Sequence, residues 1–142
     1  MEKAHSKLEE GFTLIELLIV LAIIGALMFI GIPVYTGALD SAHATVVATN
    51  IKMIADGVRM ALTLDGTATT DPKYYIELED VSEYMVNITD NTDQSPPEWE
   101  VKVKYTGNMA SADKIVSKLK GCTETGIESN NAYCKIIVSE TF

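Results

Sequence analysis

The chain has 142 residues and a formal net charge of −9, with 47% hydrophobic residues. This length allows one ordinary domain, and the acidic balance argues against a broad nucleic-acid-binding surface. Five lysines between residues 102 and 120 leave a local exception open. The apolar residues are concentrated in residues 12–32, where Glu16 is the one charged side chain. About 110 residues then remain for a soluble core, which is enough for one small domain.

Residues 12–32 are predicted to form a membrane-spanning helix. This run would be about 31 Å long at 1.5 Å per residue, which matches the hydrocarbon thickness of a bilayer. Lys3 and Lys7 precede it and no Lys or Arg follows until Lys52, so the positive-inside rule places the N-terminus in the cytoplasm. The alternative is a secretory signal peptide cleaved near residues 42–44. The apolar run is longer than the usual run of about 7 to 15 residues, which argues against that alternative.

Glu16 is the residue in this run that needs an explanation. A charge inside a bilayer costs at least a few kcal/mol unless another group pairs with it. We therefore expect a partner for this carboxylate. The alternative is a carboxylate that is tolerated because it lies near the membrane edge.

Residues 1–64 resemble a type IV prepilin. A short charged leader ends at Gly11, and the sequence FTLIEL opens the apolar helix at Phe12. The resemblance implies that a membrane-embedded prepilin peptidase cuts between Gly11 and Phe12 and methylates the new amino group of Phe12. The leader length and the Phe start are similar to the type IVa group. The resemblance also implies that Glu16 pairs with the charged N-terminus of Phe12 on a neighbouring subunit, which would fix the axial register between subunits.

Gly25 and Pro33 also match positions that this family uses. Pro33 cannot donate an amide hydrogen bond and its ring crowds the carbonyl of Phe29, while Gly25 lowers the cost of leaving helical geometry. In the pili that this chain resembles, this stretch loses helical structure on assembly. A simple kink or a membrane exit at Pro33 is an equally open interpretation.

The helix is predicted to continue beyond the membrane. Residues 12–33 would be its membrane-spanning and polymerisation half, and residues 34–64 an amphipathic half packed on a small domain. Apolar residues recur in the second half at steps of three and four, which predicts one buried stripe. This stripe comprises Val47, Ile51, Ile54, Val58 and Ala61. The pair Asp65-Gly66 then predicts the end of the helix.

Residues 65–97 are predicted to be an acidic connection between the helix and a sheet. Residues 65–100 carry ten acidic side chains and one lysine, and a short helix is predicted over residues 76–86. The sequence DNTD at residues 90–93 lacks the spaced ligands and closing glutamate of a calcium loop, so a solvated turn is expected there. No metal site and no cofactor are expected.

Residues 98–142 are predicted to form a small antiparallel sheet with one short helix. Residues 98–106 alternate between apolar and charged side chains, which is typical of a half-buried strand. The helix is predicted over residues 111–119 and the last strand over residues 133–139. The predicted fold is therefore α+β, a pilin fold in which residues 65–142 form a globular head on the second half of the long helix.

Cys122 and Cys134 form a close pair in a domain that is predicted to be exported. Such a pair indicates a disulfide more readily than a metal site. In the family that the chain resembles, the matching disulfide-bounded loop is exposed on the filament surface and often carries binding specificity.

Charge is distributed unevenly along the C-terminal half. Residues 101–120 hold five lysines and one acidic residue, a formal +4, whereas residues 65–100 carry −9 from ten acids and one lysine. We hypothesise that the acidic residues of one subunit face the lysine-rich segment of another. The alternative is a solvated mixed surface, because exposed ion pairs contribute only about 0 to 1 kcal/mol.

These features predict a structural protein and no enzyme. The sequence shows no nucleophile with a base and no phosphate-binding glycine loop, and His5 and His43 are isolated. We expect a major pilin: a single-pass precursor in the inner membrane that the pilus assembly machinery polymerises into an extracellular homopolymer for adhesion or motility. The alternatives with the same N-terminal motif are a minor pilin and a pseudopilin of a type II secretion system. An anchored sensor or enzyme domain is a more distant alternative, because no site residues converge.

Overall fold

The computed structural model describes residues 11–91, 93 and 97–139. The leader residues 1–10 lie outside this range. Two compact units are present, an N-terminal unit (Met1–Gly37) and a C-terminal unit (Ala38–Phe142). The elements in chain order are α1 (Leu14–Asp65), a 3₁₀ turn (Pro72–Tyr74), β1 (Tyr84–Asn91), β2 (Glu98–Tyr105), α2 (Ala112–Lys118), β3 (Glu124–Glu128) and β4 (Asn131–Ser139). The architecture is α+β, as predicted.

The described residues of the N-terminal unit are all exposed. Within the described ranges, α1 is the one helix long and apolar enough to cross a membrane. Large apolar side chains on every side of a helix require lipid or other helices as their surroundings. The α-helical conformation continues through Pro33, so the chain shows neither a break nor an end of the helix at that residue.

The C-terminal unit is built around one apolar cluster between α1 and the sheet. Four members of the predicted stripe, Val47, Ile51, Ile54 and Val58, are fully buried there. Ala61 is only half-buried, and Leu62 takes the next buried position on α1. The helix ends at Asp65, as predicted, because Gly66 adopts a φ of +66°. Its N–H donates to the carbonyl of Leu62 at 3.0 Å, which satisfies one of the last helical carbonyls.

The sheet has four antiparallel strands in the order β1-β2-β4-β3. The predicted strand at residues 98–106 is confirmed as β2, and its inward side chains are Trp99, Val101, Val103 and Tyr105. The predicted last strand is confirmed as β4, which begins two residues earlier than expected, at Asn131. The predicted short helix is confirmed as α2.

The helix predicted over residues 76–86 is wrong. Residues 77–80 are exposed and irregular, and β1 begins at Tyr84, which pairs with Tyr105 of β2. Cross-strand pairing with β2 therefore overrides the local helical spacing. The turn expected at residues 90–93 begins later than predicted, because Asp90 and Asn91 complete β1. Asp93 lies in a turn, and Thr92 is outside the described residues.

Strand β3 was not predicted. Its residues lie in the segment that was expected to be a loop, and they pair with β4 through a two-residue connection. The connecting residues Ser129 and Asn130 have φ values of 52° and 66°, which are typical of a type I′ hairpin turn. The Cys122–Cys134 disulfide is confirmed, with the two Cα atoms 5.6 Å apart. It joins the residues before β3 to the middle of β4.

Asp40 of α1 holds the N-terminus of α2. Its carboxylate accepts a hydrogen bond from the Ser111 N–H at 3.2 Å and forms an ion pair with Lys114 at 2.6 Å. The Lys114 ammonium and, to a lesser extent, the Ser111 amide lower the pKa of the Asp40 carboxyl. Ser111 is the N-cap residue and makes no side-chain cap hydrogen bond. Asp40 satisfies the N–H of Ser111, which is one of the amides at a helix start that lack an intrahelical partner.

Replacing both Cys122 and Cys134 by Ala should lower the free energy of unfolding by about 3 kcal/mol, because the unfolded chain loses a short closed loop. The fluorescence of Trp99, the single tryptophan, reports unfolding of the sheet in the full-length chain in detergent. Reduction of the unsubstituted chain should give the same shift. A change below about 1 kcal/mol would contradict the assigned role of the disulfide.

Candidate processing and assembly site

The first turn of α1 is closed by a reciprocal pair of hydrogen bonds between Thr13 and Glu16. The Thr13 N–H and hydroxyl both donate to Glu16 Oε2, each at 2.8 Å. The Glu16 N–H donates back to Thr13 Oγ1 at 3.3 Å. Thr13 is therefore the N-cap and Glu16 the third helical residue of a capping box. This arrangement was missed in the sequence, although the spacing T-x-x-E of a capping box is present there.

The capping box leaves one carboxylate oxygen of Glu16 available. Both hydrogen bonds go to Oε2, and Oε1 accepts none from a described residue. Residues 11–37 contain no lysine, arginine or histidine, so the described N-terminal unit holds no cation for this carboxylate. A cation that pairs with Glu16 must therefore come from outside these residues.

Gly11 and Phe12 lie immediately before the capped turn, in irregular backbone. With Thr13 and Glu16 they line an open cavity of about 420 Å³. The Phe12 side chain is 91% exposed, and a Cβ added at Gly11 would meet no atom within 4 Å. A peptide bond in exposed, irregular chain next to a rigid element is the kind of bond that a protease can bind. The structure thus brings Gly11, Phe12 and Glu16 together at one end of α1.

Gly25 and Pro33 lie within α1, away from this cavity. A Cβ at Gly25 would meet nothing within 4 Å, so no close approach within the N-terminal unit requires glycine there. Pro33 has no N–H for the Phe29 carbonyl. The Thr36 hydroxyl donates to the Pro33 carbonyl at 3.1 Å. Pro33 therefore removes one backbone hydrogen bond while α1 continues through it, and Gly25 lowers the helical propensity at its position.

The outer face of the sheet carries a network of internal ion pairs. Lys102 and Lys104 both contact Glu128, at 3.0 and 3.4 Å. The hydrogen bond and charge of Lys102, followed by those of Lys104, lower the pKa of the Glu128 carboxyl. Lys135 contacts Glu100 at 2.9 Å, and this hydrogen bond is the main cause that raises the pKa of Lys135.

Tyr133 holds the β3–β4 hairpin against this network. Its hydroxyl donates to Glu124 at 2.8 Å, and the Lys102 ammonium lies 4.4 Å from the ring centroid. A Cβ at Gly126 would come within 3 Å of the Tyr133 ring, so glycine is required where the ring crosses β3. Strand β3 and the turn that follows it, residues 124–130, are exposed except for Gly126. Tyr133 and Gly126 were not singled out in the sequence, because their contact depends on the register between β3 and β4.

Asp90 and Asn91 belong to β1, and Asp93 lies in a turn. No group of three or more His, Cys, Asp or Glu side chains among the described residues could hold a metal ion. Thr92 lies outside the description.

Comparison with known proteins bears on the N-terminal segment and on the chain as a whole. A family model for the prokaryotic N-terminal methylation motif matches residues 6–32. The chain is 33% identical over 129 residues to the type IV major fimbrial protein FimA of Dichelobacter nodosus strain VCS1703A, covering 80% of this chain and 76% of that protein. A second FimA from Dichelobacter nodosus matches with the same identity and coverage. No solved structure matches the chain.

Thr13→Ala should weaken the first turn of α1 by about 1 kcal/mol, which corresponds to roughly fivefold faster hydrogen exchange of the capped amides. Glu16→Ala should have a similar effect. Glu16→Gln should leave exchange close to that of the unsubstituted chain, because Gln also serves in a capping box. Amide exchange of residues 13–17 in detergent micelles measures this. Equal exchange in Thr13→Ala and the unsubstituted chain would rule out the capping box.

Proposed function

Since the chain belongs to the type IV pilin family, we propose that it is the major pilin of a type IVa-like pilus. The observation that carries this proposal is the exposed Gly11–Phe12 junction directly before a capped apolar helix that presents Glu16. The similarity to a protein described as a major fimbrial protein supports the major subunit. In this proposal the chain is a structural subunit and carries out no catalysis.

The proposed precursor is a single-pass protein of the inner membrane with its N-terminus in the cytoplasm. The exposed apolar residues of the N-terminal unit lie in lipid at this stage. Prepilin peptidase hydrolyses the amide between Gly11 and Phe12, so that Gly11 leaves as a carboxylate and Phe12 begins the mature chain. The exposure of both residues supports access of the peptidase to this bond.

Cleavage changes the charge at the end of α1. In the precursor the Phe12 nitrogen is an amide and carries no charge. After hydrolysis it is an amine that binds a proton near neutral pH, because an α-amino group has a pKa of about 8. Methylation of this nitrogen retains a basic amine. The Phe12 nitrogen therefore becomes a cation only when the leader has been removed.

We propose that this new cation pairs with Glu16 of a neighbouring subunit. Glu16 Oε1 accepts no hydrogen bond from a described residue, so it can receive the amine while Oε2 keeps its contacts with Thr13. Among apolar helices both partners of such a pair are needed, because removal of either one leaves a buried charge at a cost of about 3 to 5 kcal/mol. The pair would fix the axial register of neighbouring helices and would prevent assembly of the uncut precursor.

Gly25 and Pro33 support the proposal that α1 loses helical structure between them on assembly. A helix that contains Gly25 and Pro33 requires less energy to open between them than an uninterrupted one. Packing of neighbouring subunits against this stretch would provide the driving force. The alternative of a simple kink at Pro33 predicts that residues 25–33 keep their helical hydrogen bonds in the filament.

The exposed part of the β3–β4 hairpin, residues 124–130, is the proposed surface of the filament that contacts other molecules. The Cys122–Cys134 disulfide and the contact of Tyr133 with Gly126 hold it in one conformation. A rigid hairpin loses little conformational entropy when it binds a partner. This supports a role in adhesion or in surface contacts during motility.

The intact mass of the protein in filaments sheared from the cell surface tests the proposed function. The expected mass is that of residues 12–142 plus one methyl group and minus two hydrogens for the disulfide. A processed chain that is abundant in membranes and missing from sheared filaments would favour a pseudopilin. A chain that keeps residues 1–11 in filaments would overturn the assignment of the cleavage site.

Glu16→Gln separates the charge of Glu16 from its capping role. It should keep the helix start and reduce incorporation into filaments by at least about 100-fold, because the neighbouring amine loses its counter-charge. Glu16→Asp keeps the charge and is the matched control. The amounts of processed protein in membranes and in sheared filaments measure this. Equal incorporation of Glu16→Gln and the unsubstituted chain would show that pairing is not required.

A further inference from the structure

Two oppositely charged groups are among the residues of the C-terminal unit that form no ion pair with a described residue; in the acidic group, Asp80 accepts a hydrogen bond from the Ser82 N–H at 2.9 Å. The lysines on the sheet face and Lys114 of α2 all contact carboxylates of the same chain. Lys118 and Lys120 form no ion pair with a described residue, and neither do Glu77, Glu79 and Asp80. The lysine-rich segment and the acidic residues 65–100 therefore each keep charged side chains that the internal ion pairs do not use.

The basic group lines a groove between α1 and the end of α2. This lysine groove has a volume of about 530 Å³ and is bounded by Lys52, Lys118 and Lys120, with Ala48 and Met53 among its apolar residues. Lys52 forms an ion pair with Asp56 at 3.0 Å. Lys118 and Lys120 line the same groove and form no ion pair with a described residue. A ligand for this groove should carry several negative charges and one apolar side chain.

The acidic group forms a short exposed segment. This acidic segment, residues 77–80 with the sequence ELED, has no regular secondary structure and is exposed at every residue. Leu78 is 37% exposed between two glutamates. The neighbouring residue Ile76 is buried and anchors the segment to the core. The segment thus presents the carboxylates of Glu77 and Glu79 and the apolar side chain of Leu78 next to the buried Ile76. These groups match the positive charge and the apolar lining of the lysine groove.

The elements next to the acidic segment and the lysine groove contact different strands of the sheet. The 3₁₀ turn that precedes the acidic segment contacts β1, and α2 contacts β3 and β4. Strands β1 and β3 are the two edges of the four-stranded sheet. No ion pair joins the groove lysines to the acidic segment among the described residues of one chain. A contact between them in two chains is heterologous, and such a contact repeats in an open series when the rotation does not close.

We propose that the acidic segment of one subunit docks into the lysine groove of the next subunit. Lys118 and Lys120 pair with the glutamates of the segment, and Leu78 lies against the apolar part of the groove near Met53. This inference rests on the proposed assembly of the chain into a filament, and it adds a contact between C-terminal units to the contact between the apolar helices. The contact should weaken at high salt, because exposed charges are screened.

Zero-length carbodiimide cross-linking of the unsubstituted filament tests the contact directly. This reagent joins a lysine to a carboxylate in direct contact. We expect peptides that link Lys118 or Lys120 to residues 77–80 in sheared filaments and not in the detergent-solubilised precursor. The internal pairs Lys102–Glu128 and Lys135–Glu100, at 3.0 and 2.9 Å, should be linked in both samples and serve as positive controls.

Charge reversal provides a second test in cells. Lys118→Glu with Lys120→Glu should lower the amount in sheared filaments at least about fivefold, and so should Glu77→Lys with Glu79→Lys. The four substitutions together should restore most of the loss. Lys118→Arg with Lys120→Arg is the matched control that keeps the charge. The amount of each variant in membranes shows whether it folds and accumulates.

Failure of this inference is distinguishable from failure of the proposed function. Filaments that contain the chain and give the internal cross-links, but no link from the lysine groove to the acidic segment, would overturn the inference and leave the pilin assignment intact. Losses that the combined variant does not restore would also overturn it, including the case in which the groove binds a different acidic partner. If the unsubstituted chain is missing from filaments, the proposed function itself fails.

Discussion

A carboxylate in the first turn of an exposed apolar helix is the constraint on which the account of this protein depends. Glu16 lies in a unit whose described residues include no cation, so its charge must be stabilised in another way. In the isolated chain Thr13 does so through two hydrogen bonds at 2.8 Å. These bonds use one oxygen and close the helix. The second oxygen, Oε1, is the one that we propose to receive the Phe12 amine of a neighbouring subunit.

The two units meet different physical requirements. The N-terminal unit has no buried residue among those described, so its stability as a helix depends on the surrounding lipid or on neighbouring helices. The C-terminal unit has a complete core, and the described residues include no buried polar or charged side chain. A disulfide and an ion-pair network hold its outer hairpin. The chain can therefore keep a folded C-terminal unit while its N-terminal unit passes from lipid into a polymer.

Local patterns were sufficient to predict several elements of the fold and its disulfide. The apolar run, the stripe ending at Gly66 and the alternation in β2 each depend on residues close in sequence. Strands β1 and β3 were not predicted, because each is defined by pairing with a strand across a turn. The helix predicted at residues 76–86 failed for the same reason. In the stripe, Leu62 replaces Ala61 because the buried face of α1 is set by the sheet that it contacts.

The candidate site was predicted in part. Gly11, Phe12 and Glu16 were singled out from the sequence, and they lie together at the end of α1. Thr13 was not predicted, because the cost of a charge in lipid predicts a cationic partner for Glu16 and does not distinguish the local T-x-x-E capping spacing. The most direct test of the account is a structure of the assembled filament that resolves the first turn of α1. The account predicts that each Glu16 carboxylate lies within about 4 Å of the Phe12 nitrogen of a neighbouring subunit. A filament in which Glu16 contacts only its own Thr13, with the amine paired elsewhere, would contradict it.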